Sequence, residues 1–165
     1  MKGIFEFVVK PKSERYNNTK TLGDSELILN TEMQNHNFVS RIGIVLAVPS
    51  VNDTSVKVGD EVILHHNVFR RFRDIRGVEK NSKSYYKDDM FFVAVDQIFA
   101  YKEDGEWVPL KGFNFIKPIK ESRMFSIDFE RPLMGILKYK DASLKVMTKG
   151  DLVGFKPGAE YEFLI

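Results

Sequence analysis

The stretch VKVGDEVIL, Val56 to Leu64, places a glycine and an aspartate directly before a short apolar run. Glycine adopts the backbone dihedrals that a tight turn requires, and an aspartate side chain can accept hydrogen bonds from the amides of that turn. A weaker copy, TKGDLVGF, stands at Thr148 to Phe155. Both stretches therefore predict a tight turn that leads into a β-strand, a pattern found in many small barrels.

Apolar residues elsewhere alternate or come in short runs, and long stretches with the 3.6-residue period of a helix are missing. The enrichment in Val, Ile, Phe and Tyr suits a pleated, half-buried surface. Short strands at this spacing indicate a barrel or a sandwich. We therefore expect an all-β fold, with strands over Gly3–Lys10, Arg41–Val48, Asp60–His66, Met90–Val95, Gln97–Lys102, Trp107–Leu110, Phe113–Lys117, Met124–Phe129, Leu133–Tyr139, Ser143–Met147, Leu152–Lys156 and Tyr161–Ile165.

Composition narrows the classes of function. Of the 165 residues, 43% are hydrophobic and 29% charged, as in an ordinary folded protein, and the formal charge of +2 argues against a nucleic-acid partner bound through a large positive field. No cysteine is present, which excludes disulfides and thiolate sites. The sequence shows neither a signal-peptide pattern nor an apolar run of membrane-spanning length, so we expect a cytoplasmic protein with no membrane partner.

Two polar segments interrupt the strand pattern. Residues 16–40 are far longer than an ordinary connection and contain one apolar triplet, Leu27-Ile28-Leu29. Residues 67–89 carry four arginines and then a polar run. Both segments are predicted to be exposed loops, although the apolar triplet could instead pack on the chain's own core as a short strand.

The sequence segments before and after the glycine–aspartate turn come in an order that resembles the strand order of one protein family. Arg41 to Val48, which reads RIGIVLAV, precedes the turn, and Phe91 to Ala100, FFVAVDQIFA, follows it. Together with Phe7-Val8-Val9-Lys10, these segments resemble the barrel strands of the GroES-type co-chaperonins, over about Gly3 to Tyr101. The resemblance implies a GroES-like small β-barrel over residues 1–110, with residues 16–40 as the mobile loop and Leu27, Ile28 and Leu29 as the triplet that docks on a chaperonin.

The second half of the chain repeats the sequence features of the first half and resembles the same family. Ile116 to Glu121 resembles the start of a co-chaperonin chain, Leu133 to Tyr139 offers another glycine-bearing strand, and Lys149-Gly150-Asp151 repeats the turn. We expect residues 111–165 to be a degenerate, truncated second GroES-like repeat without a mobile loop, because 128–133 leaves no room for one. These departures resemble the divergence of viral and phage co-chaperonins.

The resemblance implies a non-enzymatic co-chaperonin that caps a GroEL-type chaperonin ring and assists ATP-dependent protein folding. It also implies a homo-oligomeric, sevenfold ring and, for a viral protein, residence in the host cytoplasm. The sequence shows no catalytic motif, and we expect no active site and no cofactor.

Three other functions are left open by the residues. The segment FRRFRDIR, residues 69–76, could bind an anionic partner such as a nucleic acid, or form a subunit contact, through Arg70, Arg71, Arg73 and Arg76. The chain could also be a structural virus protein that reuses the barrel. The remaining option is the accessory domain of an enzyme, because the N-terminal domain of medium-chain alcohol dehydrogenases shares this barrel.

The three histidines are not expected to bind a metal. His65 and His66 are adjacent on a predicted strand, where neighbouring side chains point to opposite faces. His36 lies in the long polar loop. We therefore predict structural or exposed roles for all three.

Overall fold

The computed structural model describes residues 5–17, 19–22, 25–28, 35–51, 53–123 and 126–162. These residues form β-strands and two single-turn 3₁₀ helices, His36–Phe38 and Val95–Gln97, so the all-β prediction is confirmed. The strands are β1 Phe7–Pro11, β2 Thr19–Leu22, β3 Ser25–Ile28, β4 Ile42–Ala47, β5 Glu61–Leu64, β6 Arg71–Arg73, β7 Glu79–Asn81, β8 Tyr85–Lys87, β9 Met90–Val93, β10 Ile98–Glu103, β11 Glu106–Pro109, β12 Phe115–Arg123, β13 Ser126–Tyr139 and β14 Leu152–Gly154.

The chain divides into two compact units, residues 1–102 and residues 103–164. The main sheet of unit 1 has the strand order β10-β5-β4-β1-β9-β8. Neighbouring strands whose register is resolved pair antiparallel. The pairings among the described residues do not close this sheet into a barrel. No helix in the described ranges is long and apolar enough to cross a membrane.

The core of unit 1 lies against both faces of β1, because three successive side chains of that strand, Phe7, Val8 and Val9, are buried. A strand that is apolar on both faces must be covered on both sides. Fully buried side chains also come from β5 and from the turn after it, including Leu64 and Phe69. The segment after β5 therefore contributes to the core as well as to the surface.

The opening stretch forms the turn that its sequence predicts. Gly59 has φ +95°, a dihedral that glycine adopts without strain. The Asp60 carboxylate accepts a hydrogen bond of 2.8 Å from the Lys57 N–H. The Gly59 N–H donates to the Val45 carbonyl at 2.8 Å, and the Val45 N–H donates to the Asp60 carbonyl at 3.0 Å. The turn is thereby attached to the middle of β4.

The copy in the second half forms the same turn in unit 2. Gly150 has φ +100°, and the Asp151 carboxylate accepts from the Thr148 N–H at 2.8 Å. The Gly150 N–H donates to the Leu137 carbonyl at 2.8 Å, and the Leu137 N–H donates to the Asp151 carbonyl at 2.9 Å. Each hydrogen bond of the first turn therefore has a counterpart in the second.

The strands around the two turns are also equivalent. In unit 1, β4 lies between β1 and β5, and in unit 2, β13 lies between β12 and β14. Each central strand carries a glycine that pairs with a proline on one side and a valine on the other. These residues are Gly43, Pro11 and Val62 in unit 1, and Gly135, Pro118 and Val153 in unit 2.

One predicted strand, Ser143–Met147, is irregular instead and begins in a turn at 142–143. The Asp141 carboxylate accepts from the Ser143 N–H at 3.0 Å, from the Ser143 hydroxyl at 2.6 Å and from the Gly112 N–H at 2.9 Å. Local bonds of this kind compete with strand pairing. Because Ser143 and Gly112 donate to it, the pKa of Asp141 falls to about 2. The alternation of apolar residues was misleading here.

Candidate partner-binding loop and its base

The long polar segment, residues 16–40, lies between β1 and β4 and contains a hairpin of its own. Strands β2 and β3 pair antiparallel, with Lys20 opposite Leu27 and Thr19 opposite Ile28. The backbone of Leu27 and Ile28 therefore belongs to β3, whereas Leu29 lies outside the described residues. The backbone of this part of the segment is therefore a short strand, the alternative that the sequence left open, and not an irregular loop.

The base of the loop continues the pairing of β1 with β4. The Ser40 N–H donates to the Arg15 carbonyl at 2.8 Å, and the Asn17 N–H donates to the Phe38 carbonyl at 2.7 Å. The two ends of the loop are thus held to each other by backbone hydrogen bonds. We call residues 15–17 and 36–41 the loop base.

Arg15 ties the loop base to the segment after β5. Its Nε and Nη2 donate to the Phe69 carbonyl at 3.1 and 2.8 Å, and its Nη1 donates to the Asn81 side-chain oxygen at 2.8 Å. The guanidinium carbon lies 4.9 Å from the centre of the Phe91 ring. Arg15 is only 7% exposed, and this burial, followed by the charge of Arg71, lowers its pKa.

Tyr16 makes a second connection to the same segment. Its hydroxyl accepts from the Arg71 N–H at 2.6 Å, and the Arg71 guanidinium lies 6.0 Å from the centre of the Tyr16 ring. The first two residues of the loop base therefore both contact residues 69–81. Neither was predicted as functional, because a single Arg-Tyr pair after a strand has no distinctive sequence pattern.

The three histidines lie together, which contradicts the expectation that His65 and His66 face opposite ways. Strand β5 ends at Leu64, so both residues lie in the turn that follows it. Their side chains therefore do not have to point to opposite faces, as they would within a strand. Their rings stack with centroids 4.3 Å apart. The His36 ring, from the loop base, lies 5.1 Å from that of His66.

Positive neighbours surround this histidine cluster. Burial is the main cause that lowers the pKa of His66, to about 4, and the charges of Arg41 and Arg70 act in the same direction. Burial also lowers the pKa of His65, while Asp96 opposes the effect.

The described residues contain no group of three or more His, Asp or Glu side chains arranged to hold a metal ion.

The structure separates the four arginines of the predicted anionic-partner site. Strands β6 and β7 form a hairpin, which we call the arginine hairpin, residues 69–81. Arg71 forms an ion pair of 3.2 Å with Glu79, and Arg70 is half-buried, with its Nε buried and unpaired among the described residues. Arg73 and Arg76 are exposed. Two of the four cations are therefore directed outward.

The tip of the arginine hairpin is closed by hydrogen bonds and exposes two apolar side chains. The Asp74 side chain accepts from the Arg76 N–H at 2.9 Å and from the Val78 N–H at 3.0 Å, which closes the turn. Ile75 is fully exposed there, and Val78 is exposed beside it. The tip thus presents apolar side chains next to arginine.

Comparison with known proteins identifies no relative. No family model matches the chain, and the searches of curated proteins and of solved structures returned no match. The site must therefore be interpreted from its own residues.

Proposed function

We propose that the protein is a co-chaperonin of the GroES type, in which unit 1 is a GroES-like barrel and unit 2 a degenerate second repeat of it. In this proposal the chains assemble into a ring, by resemblance a sevenfold one, that caps a chaperonin chamber. The hydrolysis of ATP belongs to the chaperonin, and this chain has no catalytic role.

The observation that carries the proposal is the position of the loop in the repeat. The strands β1, β4 and β5 of unit 1 have counterparts in β12, β13 and β14 of unit 2, with equivalent glycines and equivalent turns. In unit 1, residues 12–41 stand between the first two of these strands, whereas in unit 2 only residues 124–125 do. The same framework therefore carries a long insertion in one copy, as expected for a dedicated binding element.

The chemistry of the loop suits a repeated, weak contact. An apolar triplet at the edge of a small hairpin buries little surface on its partner, which leaves a modest affinity for each site. A ring of identical loops raises the overall affinity because the second and later contacts are intramolecular. Leu27, Ile28 and Leu29 are the residues that we assign to this contact.

The test is sedimentation of the purified chain, alone and with a GroEL-type chaperonin and ATP. We expect a ring-sized species that co-sediments with the chaperonin. A variant with Leu27, Ile28 and Leu29 replaced by serine should keep the ring and lose the co-sedimentation. The matched control replaces Ile75 and Val78, two exposed apolar residues outside the loop, by serine and should still co-sediment.

A monomer that does not bind any chaperonin tested would contradict the proposal. Equal binding by the triplet variant and the wild type would contradict the assignment of the triplet while leaving the class of protein intact. Loss of binding in the control variant alone would place the contact on the arginine hairpin.

A second candidate function is binding of single-stranded nucleic acid by the arginine hairpin. It rests on the exposure of Arg73, Arg76 and the ring of Phe72 in the same hairpin. Guanidinium groups pair with phosphates, and an exposed ring can stack on a base. Replacement of Arg73 and Arg76 by glutamine should abolish retention of a labelled oligonucleotide if this function is correct.

A further inference from the structure

The contacts between the loop base and the turn after β5 include a contact between two histidine rings. His36 begins the 3₁₀ helix at the C-terminal end of the loop, and its ring lies 5.1 Å from that of His66. His66 in turn stacks on His65 at 4.3 Å. The His65 ring lies edge-on to Phe99 of β10 at 6.0 Å. These ring contacts, which we call the stack, therefore extend from the loop to the main sheet, although only His65 and His66 are stacked face to face.

The charged groups around the stack are predominantly positive. Arg41 is only 4% exposed, its Nη2 donates to the His36 carbonyl at 3.3 Å, and its charge acts on both His65 and His66. Arg70 also acts on His66, and Asp96, in the second 3₁₀ helix, is the acidic group that acts on His65. A proton added to His66 would thus face two arginines and two other histidines at short range.

We propose that His36, His65 and His66 form a proton-sensitive latch, which holds the C-terminal end of the loop to the turn after β5 and releases it on acidification. Each neutral imidazole packs against the next, whereas charged rings repel one another and the nearby arginines. The release frees residues 36–40, and the loop base is then held through Arg15 and Tyr16. The consequence for partner binding rests on the function proposed above, but the release itself does not.

The direction of the pH dependence follows from the lowered pKa of His66. The pKa of His66 is about 4 when the latch is closed, and a released histidine titrates near its ordinary value of 6.5. The released state therefore binds more protons between these values. The latch is fully stable above pH 6.5 and weakens as the pH falls from 6.5 towards 4.

Amide hydrogen exchange of the wild-type protein tests the latch directly. The reporters are the Val39 N–H, which donates to the His36 carbonyl, and the Ser40 N–H, which donates to the Arg15 carbonyl. From about pH 7.5 to about pH 5, we expect their protection factors to fall on the order of tenfold. The Val45 N–H, bonded to the Asp60 carbonyl in the main sheet, is the internal reference and should keep its protection.

The variant His66→Gln removes the histidine with the larger shift and should reduce the pH dependence of Val39 and Ser40, with the remainder due to His65. Because this variant could disturb the fold, the titration of the His66 ring is also followed by NMR in the wild type. A His66 that titrates at its ordinary value, or reporter protection that stays constant over the range, would overturn the proposal.

Chaperonin binding measured over the same pH range separates this inference from the proposed function. If the reporters respond to pH and no chaperonin binds at any pH, the latch stands and the co-chaperonin proposal fails. If binding occurs and the reporters do not respond, the co-chaperonin proposal stands and the latch fails.

Discussion

The guanidinium of Arg15 donates two hydrogen bonds to the carbonyl oxygen of Phe69. This pair of bonds attaches the start of the long loop to the arginine hairpin, and both partners are buried. The two predicted surface segments, 16–40 and 67–89, are therefore parts of one structure. The loop base and the arginine hairpin meet at Arg15 and Tyr16, two residues that the sequence did not single out.

The replacement Arg15→Ala should lower the free energy of unfolding of unit 1 by about 2 to 3 kcal/mol, because the Phe69 carbonyl would be left buried without its charged donor. Arg15→Lys should recover only part of this loss, since an ammonium group cannot reproduce the planar fork. Urea unfolding measures both. The exposed Arg73→Ala is the control and should change stability by less than about 0.5 kcal/mol; an equal loss in the control would contradict the role of Arg15.

Gly135→Ala should destabilise unit 2 by about 1 to 3 kcal/mol through overpacking. A Cβ at this position would collide with the Ile116 side chain and would lie 2.6 Å from the Lys117 carbonyl oxygen. Gly154→Ala is the matched control, because its Cβ would meet only the Leu133 carbonyl oxygen, at 3.7 Å. Fluorescence of Trp107, the single tryptophan and a residue of unit 2, reports the unfolding. A Gly135→Ala variant as stable as Gly154→Ala would refute the close approach.

Unit 2 should lose stability in acid through Asp141. Its pKa is lowered to about 2 by the bonds from Ser143 and Gly112, against an ordinary value of 3.8. The unfolded chain binds the proton first, so this contribution is complete above pH 3.8 and is lost as the pH falls towards 2. In Asp141→Asn, Trp107 fluorescence should show lower stability at neutral pH and a weaker pH dependence in this window. An unchanged acid profile in the variant would contradict the assignment.

The exposed tip of the arginine hairpin should be dispensable for folding. Ile75→Ser should leave the free energy of unfolding within about 0.5 kcal/mol of the wild-type value, because Ile75 contributes no buried surface. Arg71→Gln removes the exposed ion pair with Glu79 and should cost less than about 1 kcal/mol. Thermal unfolding measures both. A large loss from Ile75→Ser would indicate that the tip is buried in an assembly.

The sequence predicted the turn at Gly59 and Asp60 and its copy at Gly150 and Asp151, because local hydrogen bonds and a positive φ determine such turns. It did not predict the histidine cluster, which depends on β5 ending at Leu64 and on His36 returning from a distant part of the chain. The contacts of Arg15 were missed for the same reason. Contacts between residues that are far apart in the sequence leave no periodic pattern in the local sequence from which they could be predicted.

The difference in connection length between the two copies also has a kinetic consequence. Strands β12 and β13 are joined by two residues, so their pairing begins by closing a very short loop, whereas β1 and β4 pair across residues 12–41. The entropic cost of closure grows with loop length, and non-local pairing is slower. We therefore expect the β12–β13 ladder to acquire amide protection before the β1–β4 ladder does in pulse-labelling during refolding, and the reverse order would refute this sequence of events.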